Sequence, residues 1–226
     1  MNEKNILFIG NSYTFYNDMP TAIFERMASE AGLCLKVTSI TKGGESLVGH
    51  ATEGHDSHSR IVEVFEKEKF DYVILQDQSD TPAINREKYF AGVEYFASKA
   101  KENGAEVVIY GTWPKKEGHK NLSKFGITKS EMAKMLDESF VEASKRFGAR
   151  LACVGGSFAE IENDESLPDP YNSDLSHPSY VGSYAAAFCI LKKIFSVSAD
   201  DFAFCGELST EVAEAVKRIV EKTVSD

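Results

Sequence analysis

Cysteine is scarce in this chain: only four of the 226 residues are cysteines, and no two of them have CxxC spacing. Scattered thiols of this kind favour neither a disulfide framework nor a zinc site, and they are typical of a protein with reduced thiols. The N-terminal residues also lack the succession of basic, apolar and small residues that marks a signal peptide. Both absences predict a cytoplasmic location. The four cysteines are Cys34, Cys153, Cys189 and Cys205.

The chain also has few positively charged residues relative to acidic ones, and it has no long apolar run. Lysine and arginine number 25 against 35 aspartates and glutamates, so the formal net charge is -10. Attraction to nucleic-acid phosphates requires the opposite sign, so we expect no nucleic-acid partner. No apolar run approaches the roughly 20 residues of a membrane-spanning helix, so we expect no membrane partner. No GxGxxG or P-loop signature for nucleotide binding occurs.

What the sequence does contain predicts a single domain over residues 1–226. A chain of this length can bury one sizeable core, and no repeat, low-complexity tract or long linker divides it. A helical stretch that ends at glycine and continues into a short β-rich run recurs at Gly32, Gly104 and Gly148. Strands are predicted at residues 5–9, 35–40, 71–76, 106–111 and 150–155.

The predicted strands are mostly continuous apolar runs, which is typical of strands covered on both faces. Strands that alternate with helices form parallel sheets with right-handed crossovers. The sequence therefore predicts the α/β class, as a three-layer, flavodoxin-like α/β/α sandwich around a five-stranded parallel sheet. Two further helices are predicted, from Met19 to Ala31 with Asp18 as its N-cap, and from about Glu207 to Val224.

Chemically useful side chains follow the strands at the points where they end. In open parallel sheets, ligands bind at the carboxyl ends of the strands, which share one edge. These exits supply a serine, a glycine pair, two glutamines, an aspartate and a histidine. Acyl transfer requires such a set: a nucleophile, a base, a group that orients the base, and oxyanion donors. The residues in question are Ser12, Gly43, Gly44, Gln76, Gln78, Asp174 and His177.

Two of these exits resemble blocks of the SGNH/GDSL hydrolase superfamily. The stretch "FIGNSYT" resembles the GDS-type first block, with Asn11 in place of the usual aspartate. The stretch "DLSHPS" resembles the last block, a DxxH motif. The glycine pair stands where the oxyanion glycine of the second block belongs, and matching the block selects Gly44. These features occur in the family's order and span nearly the whole chain.

The resemblance implies a role for each matched residue. Ser12 would be the nucleophile, His177 the general base and Asp174 the carboxylate that orients the histidine. The backbone N–H groups of Ser12 and Gly44 would bind the oxyanion. The resemblance implies a serine esterase that uses neither a metal nor any other cofactor.

The third block departs from the family's usual G-x-N-D. The exit of the third strand reads "LQDQSDT" and is more similar to the Q-G-E-S-D variant of SGNH carbohydrate acetylesterases. That similarity assigns the third oxyanion donor to Gln76, with Gln78 as the alternative, because a glutamine amide can donate as an asparagine amide does. It also implies a small-molecule or carbohydrate ester as substrate, with a short acyl group such as O-acetyl.

Aromatic and polar residues near these exits are expected to line the substrate. Aromatic rings offer flat apolar faces suited to stacking against sugar rings. Phe15 is expected to pack over the core instead. The expected lining residues are Asn11, Tyr13, Trp113 and Tyr171.

Two other interpretations of the chain stay open. A strand, a Gly/Asn/Ser/Thr turn and a helix also describe the phosphate loop of a flavodoxin-like FMN-binding module. That interpretation leaves Asp174 and His177 without a role. The chain could equally be an SGNH-type fold that has lost catalysis and only binds. Three nearby histidines, His50, His55 and His58, lack a complete ligand pattern, so we expect a solvated loop there and no metal site.

Overall fold

A five-stranded, all-parallel sheet forms the centre of the protein. The structure is a computed structural model and describes residues 3–224. The strand order β2-β1-β3-β4-β5 is that of flavodoxin-like doubly wound proteins, so the predicted α/β class and sheet are confirmed. The strands are β1 (Lys4–Gly10), β2 (Leu35–Thr41), β3 (Tyr72–Leu75), β4 (Glu106–Gly111) and β5 (Arg150–Cys153).

Helices connect the strands and cover both faces of the sheet. Short 3-10 turns occur at Tyr16–Asp18 and Ala199–Asp201, and a π-helix occurs at Met19–Phe24. The α-helices in the described part of the chain are α1 (Ser12–Phe15), α2 (Glu25–Glu30), α3 (Leu47–Ala51), α4 (Asp56–Lys67), α5 (Asp80–Ile84), α6 (Arg86–Asn103), α7 (Lys120–Phe125), α8 (Lys129–Phe147), α9 (Val154–Asn163), α10 (Tyr180–Phe195) and α11 (Thr210–Thr223). Within residues 3–224, no helix is both long enough and apolar enough to cross a membrane.

The core consists of two apolar clusters, one on each face of the sheet. Side chains alternate along a strand, so Ile6 and Phe8 of β1 enter one cluster while Leu7 and Ile9 enter the other. Helices α2, α9, α10 and α11 pack on the first cluster. Helices α3, α4, α6 and α8 pack on the second. This arrangement gives the three layers that the sequence predicts, and it covers both faces of the sheet.

Helix ends follow the predicted glycine signals better than helix starts do. Gly32, Gly104 and Gly148 all have positive φ, at 77°, 90° and 64°, as a left-handed helix end requires. The predicted start of α11 at Glu207 is early, because Ser209 caps that helix by accepting a hydrogen bond from the Val212 N–H. The predicted strand 150–155 is too long, because α9 begins at residue 154.

The predicted helix from Met19 to Ala31 is confirmed, but its first half, Met19–Phe24, is a π-helix. The predicted N-cap is wrong: Asp18 makes no side-chain capping hydrogen bond and has a left-handed backbone with φ 47°. Asn17, also left-handed at φ 56°, donates a 2.8 Å hydrogen bond from Nδ2 to Ser183 Oγ of α10. A tertiary contact with α10 therefore fixes the turn before this helix, and a local capping signal does not reveal such a contact.

Candidate active site

Three side chains predicted to form a catalytic triad meet at the carboxyl edge of the sheet. Ser12 Oγ lies 2.8 Å from His177 Nε2, although the two residues are 165 positions apart. On the other side of the imidazole, His177 Nδ1 lies 2.5 Å from Asp174 Oδ2. An ionised carboxylate can only accept, so Nδ1 carries the proton and Nε2 is free to accept from the serine hydroxyl. The three form one continuous hydrogen-bonded chain.

The turn that carries Ser12 has little space and well-defined hydrogen bonds. Gly10 ends β1, and a Cβ at this position would lie 2.6 Å from Gln76 Oε1 and 2.7 Å from Thr14 Oγ1. Asn11 then caps the four-residue helix α1, its Oδ1 accepting from the Tyr13 N–H at 3.1 Å. Ser12 is the first helical residue, so its hydroxyl emerges at the sheet edge.

The loop that carries Asp174 and His177 is organised by the aspartate itself. Asp174 Oδ1 accepts from the backbone N–H groups of Ser176 at 3.0 Å and His177 at 2.9 Å. Leu175, between Asp174 and Ser176, has φ 63°, a left-handed conformation that non-glycine residues seldom adopt. Burial raises the pKa of Asp174, but hydrogen bonds from His177 and Ser176 outweigh it and hold the pKa below the usual value. Asp174 therefore stays ionised at neutral pH.

Two tyrosine rings hold the imidazole of His177. Tyr16 stacks on it, with ring centroids 4.3 Å apart and an angle of 10° between the planes. Tyr13 meets it edge-on, at 5.5 Å and 80°. The His177 side chain is nevertheless 26% exposed, so a substrate can reach it.

Three donors at the strand exits remain available to a ligand. Within residues 3–224, the backbone N–H groups of Ser12 and Gly44 donate to no other atom. Gln78 Nε2 donates to the Gly44 carbonyl at 2.6 Å, which brings its amide to the second strand's exit and leaves its other N–H unused. These three groups are the candidate oxyanion donors, with Gln78, the predicted alternative, in place of Gln76.

Gln76 does not fit the donor role predicted for it. Its Oε1 accepts from the Asn11 N–H at 2.8 Å, which fixes the orientation of the amide. Both N–H groups of its Nε2 are then used, by Asn11 Oδ1 at 3.0 Å and by the Asp77 carbonyl at 2.6 Å. Because an amide has only two donors, none remains for a substrate. Gln76 is a buried link between the first and third strand exits.

The residues expected to line the substrate are buried beneath the site instead. The rings of Tyr13 and Trp113 stack at 4.9 Å, and Trp113 stacks in turn on Phe158 at 3.7 Å. The side chain of Tyr171 turns inward too, and its hydroxyl donates to the Pro114 carbonyl at 3.0 Å. A position at a strand exit does not set the direction of the side chain, and apolar rings gain free energy by turning into the core. The buried residues are Asn11, Tyr13, Trp113 and Tyr171.

The aromatic residue at the opening is one that sequence reasoning assigned to the core. Phe15 is 38% exposed and its ring stacks on Tyr16 at 6.0 Å. The two rings continue the stack that begins at His177. Phe15 ends a helix of only four residues, so helical periodicity could not indicate which way it faces.

His50 is also placed differently from the expectation of a solvated loop. It lies on α3, fully buried, and its Nε2–H donates to the Gly10 carbonyl at 2.8 Å, directly behind the Ser12 turn. Burial lowers the pKa of His50, so it is neutral near neutral pH. His55 and His58 contact Glu45 and Tyr95 respectively. Among residues 3–224, no three His, Cys, Asp or Glu side chains are grouped so that they could hold a metal ion.

Asp77 is a buried acid beside Gln78, and it should make stability depend on pH. Burial raises its pKa to about 7. The folded chain therefore binds a proton that the unfolded chain releases near the ordinary pKa of about 3.9, so the free energy of unfolding falls as pH rises between those values. We expect the free energy of unfolding of Asp77→Asn, relative to that of the natural protein, to rise by about 2–3 kcal/mol between pH 5 and pH 8, as measured by urea unfolding.

The matched control for this prediction is Asp71→Asn. Asp71 pairs with Lys4, and its pKa is lowered, so its contribution to stability is lost only in acid. Its difference from the natural protein should be the same at pH 5 and pH 8. An Asp77→Asn difference that also stays constant between the two pH values would contradict the expected ionisation of Asp77.

Comparison with known proteins identifies the family. No family model and no curated protein sequence matches the chain. Among solved structures, a protein of Slackia heliotrinireducens assigned to the SGNH hydrolases is 32% identical, with 85% of this chain covering 100% of that one at a TM-score of 0.75. A DUF4886 family protein of Bacteroides uniformis is 15% identical, with 98% of this chain covering 94% of that one at a TM-score of 0.81.

An acetylxylan esterase of Geobacillus stearothermophilus has the same fold at 14% identity, with 85% of this chain covering 94% of that one and a TM-score of 0.60. The Slackia relative adds sequence identity to the shared fold, over its full length. The predicted blocks and the observed sheet order agree with that relationship. The chain belongs to the SGNH hydrolase family.

Proposed function

We propose that this protein is a serine esterase that acts through an acyl-enzyme on Ser12. The observation that carries the proposal is the continuous hydrogen-bonded chain from Ser12 Oγ through His177 to Asp174. Nucleophilic catalysis by serine requires a base within hydrogen-bonding distance and a third group that orients the base. The distances of 2.8 Å and 2.5 Å meet both requirements without any movement.

The reaction follows from these positions. Ser12 Oγ attacks the ester carbonyl while His177 Nε2 takes its proton, and Asp174 stabilises the imidazolium that forms. His177 then gives this proton to the leaving alcohol, and the acyl group remains on Ser12. In the second half, His177 takes a proton from water while the water oxygen attacks the acyl-enzyme. His177 then returns this proton to Ser12 Oγ as the bond to the acyl group breaks and the carboxylic acid is released.

The negative oxygen of each tetrahedral intermediate would be bound by the N–H groups of Ser12 and Gly44 and by the Gln78 amide. Donors that point at a site before the reaction begins need no reorganisation when the charge develops. Gly44 has φ 71°, so glycine is the residue best suited to present this N–H.

Substitutions of the two glutamines, Gln76 and Gln78, should have different effects, one on stability and the other on catalysis. Removing one oxyanion donor costs on the order of 10²–10³ in kcat, so we expect that loss for Gln78→Ala, with Tm little changed. Gln76→Ala should lower Tm, because it leaves the buried Asn11 N–H and the Thr14 hydroxyl without their acceptor. Kinetics with p-nitrophenyl acetate and calorimetry measure the two effects. A Gln76→Ala protein with the natural Tm and a 100-fold loss of kcat would reverse the assignment.

We further propose a short acyl ester as substrate, with an O-acetyl group on a carbohydrate as the specific case. The exit "QDQSDT" supports it through its similarity to the acetylesterase variant of the third block. Phe15 and Tyr16 support it through their stacked rings beside His177, which offer a partly exposed aromatic face to a sugar ring. The acetylxylan esterase of Geobacillus stearothermophilus acts, by its name, on an acetylated polysaccharide.

A series of p-nitrophenyl esters of increasing chain length tests the acyl group, and acetate release from acetylated xylan and acetylated monosaccharides tests the alcohol. We expect the highest kcat/KM on the acetyl or propionyl ester, together with acetate release from at least one saccharide. A maximum at octanoyl or longer esters, with no acetate released from any saccharide, would contradict the substrate proposal.

The two alternatives from the sequence make different predictions for the same assays. An FMN-binding module would use the Ser12 turn for phosphate, but this leaves the His177–Asp174 pair without a task. A fold that only binds would hydrolyse none of the esters. Hydrolysis that depends on Ser12 contradicts both, whereas a purified protein that binds FMN and cleaves no ester would support the first.

A further inference from the structure

Lys115 carries a charge into the layer directly beneath the candidate triad. It follows β4 in the segment between that strand and α7, and only 7% of it is exposed. Lysine is seldom so deeply buried unless it is paired with an anion. Among residues 3–224, no carboxylate lies within salt-bridge distance of its ammonium group. The folded protein therefore desolvates this ammonium group beneath the candidate triad without an anion to compensate for the cost.

Two hydroxyl groups receive the ammonium of Lys115. Its Nζ donates to Tyr13 Oη at 2.6 Å and to Ser176 Oγ at 2.7 Å. The two hydroxyls are themselves 2.7 Å apart, so the three groups form a closed triangle. Nζ lies 5.0 Å from the centre of the Tyr13 ring, at the hydroxyl end, so the contact is a hydrogen bond rather than a cation over the ring face.

The two hydroxyl partners of Lys115 are neighbours in sequence of the proposed catalytic residues. Tyr13 directly follows the nucleophile Ser12, and Ser176 directly precedes the base His177. Trp113 reinforces the same junction, since its ring stacks on Tyr13 and its Nε1–H donates to the Ser176 carbonyl at 3.0 Å. The segment after β4 thus joins the two parts of the chain that must meet for the reaction.

We propose that Lys115 is a positioning residue that holds the Ser12 turn and the His177 loop together. This inference rests on the proposed esterase function. Through Tyr13 and Ser176, Lys115 would keep Ser12 Oγ and His177 Nε2 at their 2.8 Å separation before a substrate binds.

Other groups also contact the imidazole of His177. Asp174 contacts Nδ1, and the Tyr16 ring stacks on the face of the imidazole. The Tyr13 ring separates His177 from Lys115. Around Lys115 itself lie Met132 of α8, whose Sδ accepts from the Lys115 N–H, and His119, whose pKa is lowered mainly by burial and then by Lys115. Lys115 therefore acts on His177 through Tyr13 and Ser176 and not by direct contact.

Lys115→Met is the informative variant, because methionine keeps the length and removes the charge. We expect kcat for p-nitrophenyl acetate to fall by about 10- to 100-fold through lost positioning, with KM little changed. Tm should not fall, because Tyr13 and Ser176 can still bond to each other and a buried unpaired charge is gone.

Two further variants test the hydrogen bonds and the specificity of the effect. Tyr13→Phe keeps the ring stack and the lysine but removes one corner of the triangle, so kcat should fall here as well. Lys116→Met is the matched control, since that side chain points to Asp169 and to the Tyr171 ring. Its kinetics should equal those of the natural protein.

The NMR signals of the His177 imidazole make the outcome independent of the ester assay. They should shift in Lys115→Met, because the ring is no longer held in the same position, and stay unchanged in Lys116→Met. A folded Lys115→Met protein with the natural kcat and the natural imidazole signals would overturn the proposal, and so would a lower Tm with an unchanged kcat, which a merely structural lysine would give. A natural protein that cleaves no ester would contradict the esterase function, and the imidazole signals would still show whether Lys115 positions His177.

Discussion

Ser12→Ala is expected to reduce kcat/KM for short esters by on the order of 10⁴- to 10⁶-fold while leaving a folded protein. The substitution removes the only atom that can carry the acyl group, so no acyl-enzyme forms, and what remains is catalysis by the oxyanion donors alone. The fold should tolerate it, because the Ser12 hydroxyl has His177 as its single hydrogen-bond partner within residues 3–224. Initial rates with p-nitrophenyl acetate measure the loss, and calorimetry measures the fold.

Labelling with a fluorophosphonate gives an independent measurement of the same residue. The natural protein should carry one label on the peptide that contains Ser12, and Ser12→Ala should carry none. Ser29→Ala is a suitable control, because Ser29 is an exposed serine on α2, away from the strand exits. A label on another serine, or esterase activity that survives in Ser12→Ala, would contradict the assignment of the nucleophile.

The sheet could be predicted because its signals are local. Each strand is a short apolar run, and the glycines that end the preceding helices, such as Gly32 and Gly148, need a positive φ that other residues resist. The left-handed turn at Asn17 and Asp18, before the helix that begins at Met19, could not be predicted in the same way. Its geometry depends on the hydrogen bond from Asn17 to Ser183, a residue 166 positions further along the chain.

In the candidate site, too, the features set by local sequence could be predicted, and those set by long-range contacts could not. Ser12, Asp174 and His177 could be placed together because parallel strands end at one edge and the motifs lie at those ends. The sequence could not decide between Gln76 and Gln78 as the donor. The decision depends on the hydrogen bond from the Asn11 N–H, 65 residues away, which fixes the orientation of the Gln76 amide. Lys115 gave no sequence signal, since a lysine in a polar loop is normally exposed. Its ammonium group is buried against two hydroxyls that α1 and the His177 loop bring from distant parts of the chain.

Asp174→Asn is expected to cost about 10²–10⁴ in kcat, although the shape of the loop is kept. The asparagine Oδ1 can still accept from the N–H groups of Ser176 and His177, so Tm should change little. Its Nδ2, however, presents hydrogens to His177 Nδ1, where the carboxylate presented an acceptor. The imidazole then keeps its proton on Nε2, which faces Ser12 Oγ and can no longer take the serine proton.

Kinetics at pH 8 test this cleanly, because the lowered pKa of Asp174 leaves the carboxylate fully ionised there. The comparison then measures loss of the carboxylate and not its protonation. Asp169→Asn is the matched control: that carboxylate lies in the same region, accepts from the Tyr171 N–H and pairs with Lys116, but does not touch His177. Its kcat should stay within a few-fold of the natural value. If Asp174→Asn behaves in the same way as Asp169→Asn, the histidine does not depend on Asp174 for its tautomer, and the base at this site is oriented by the two tyrosine rings that hold it.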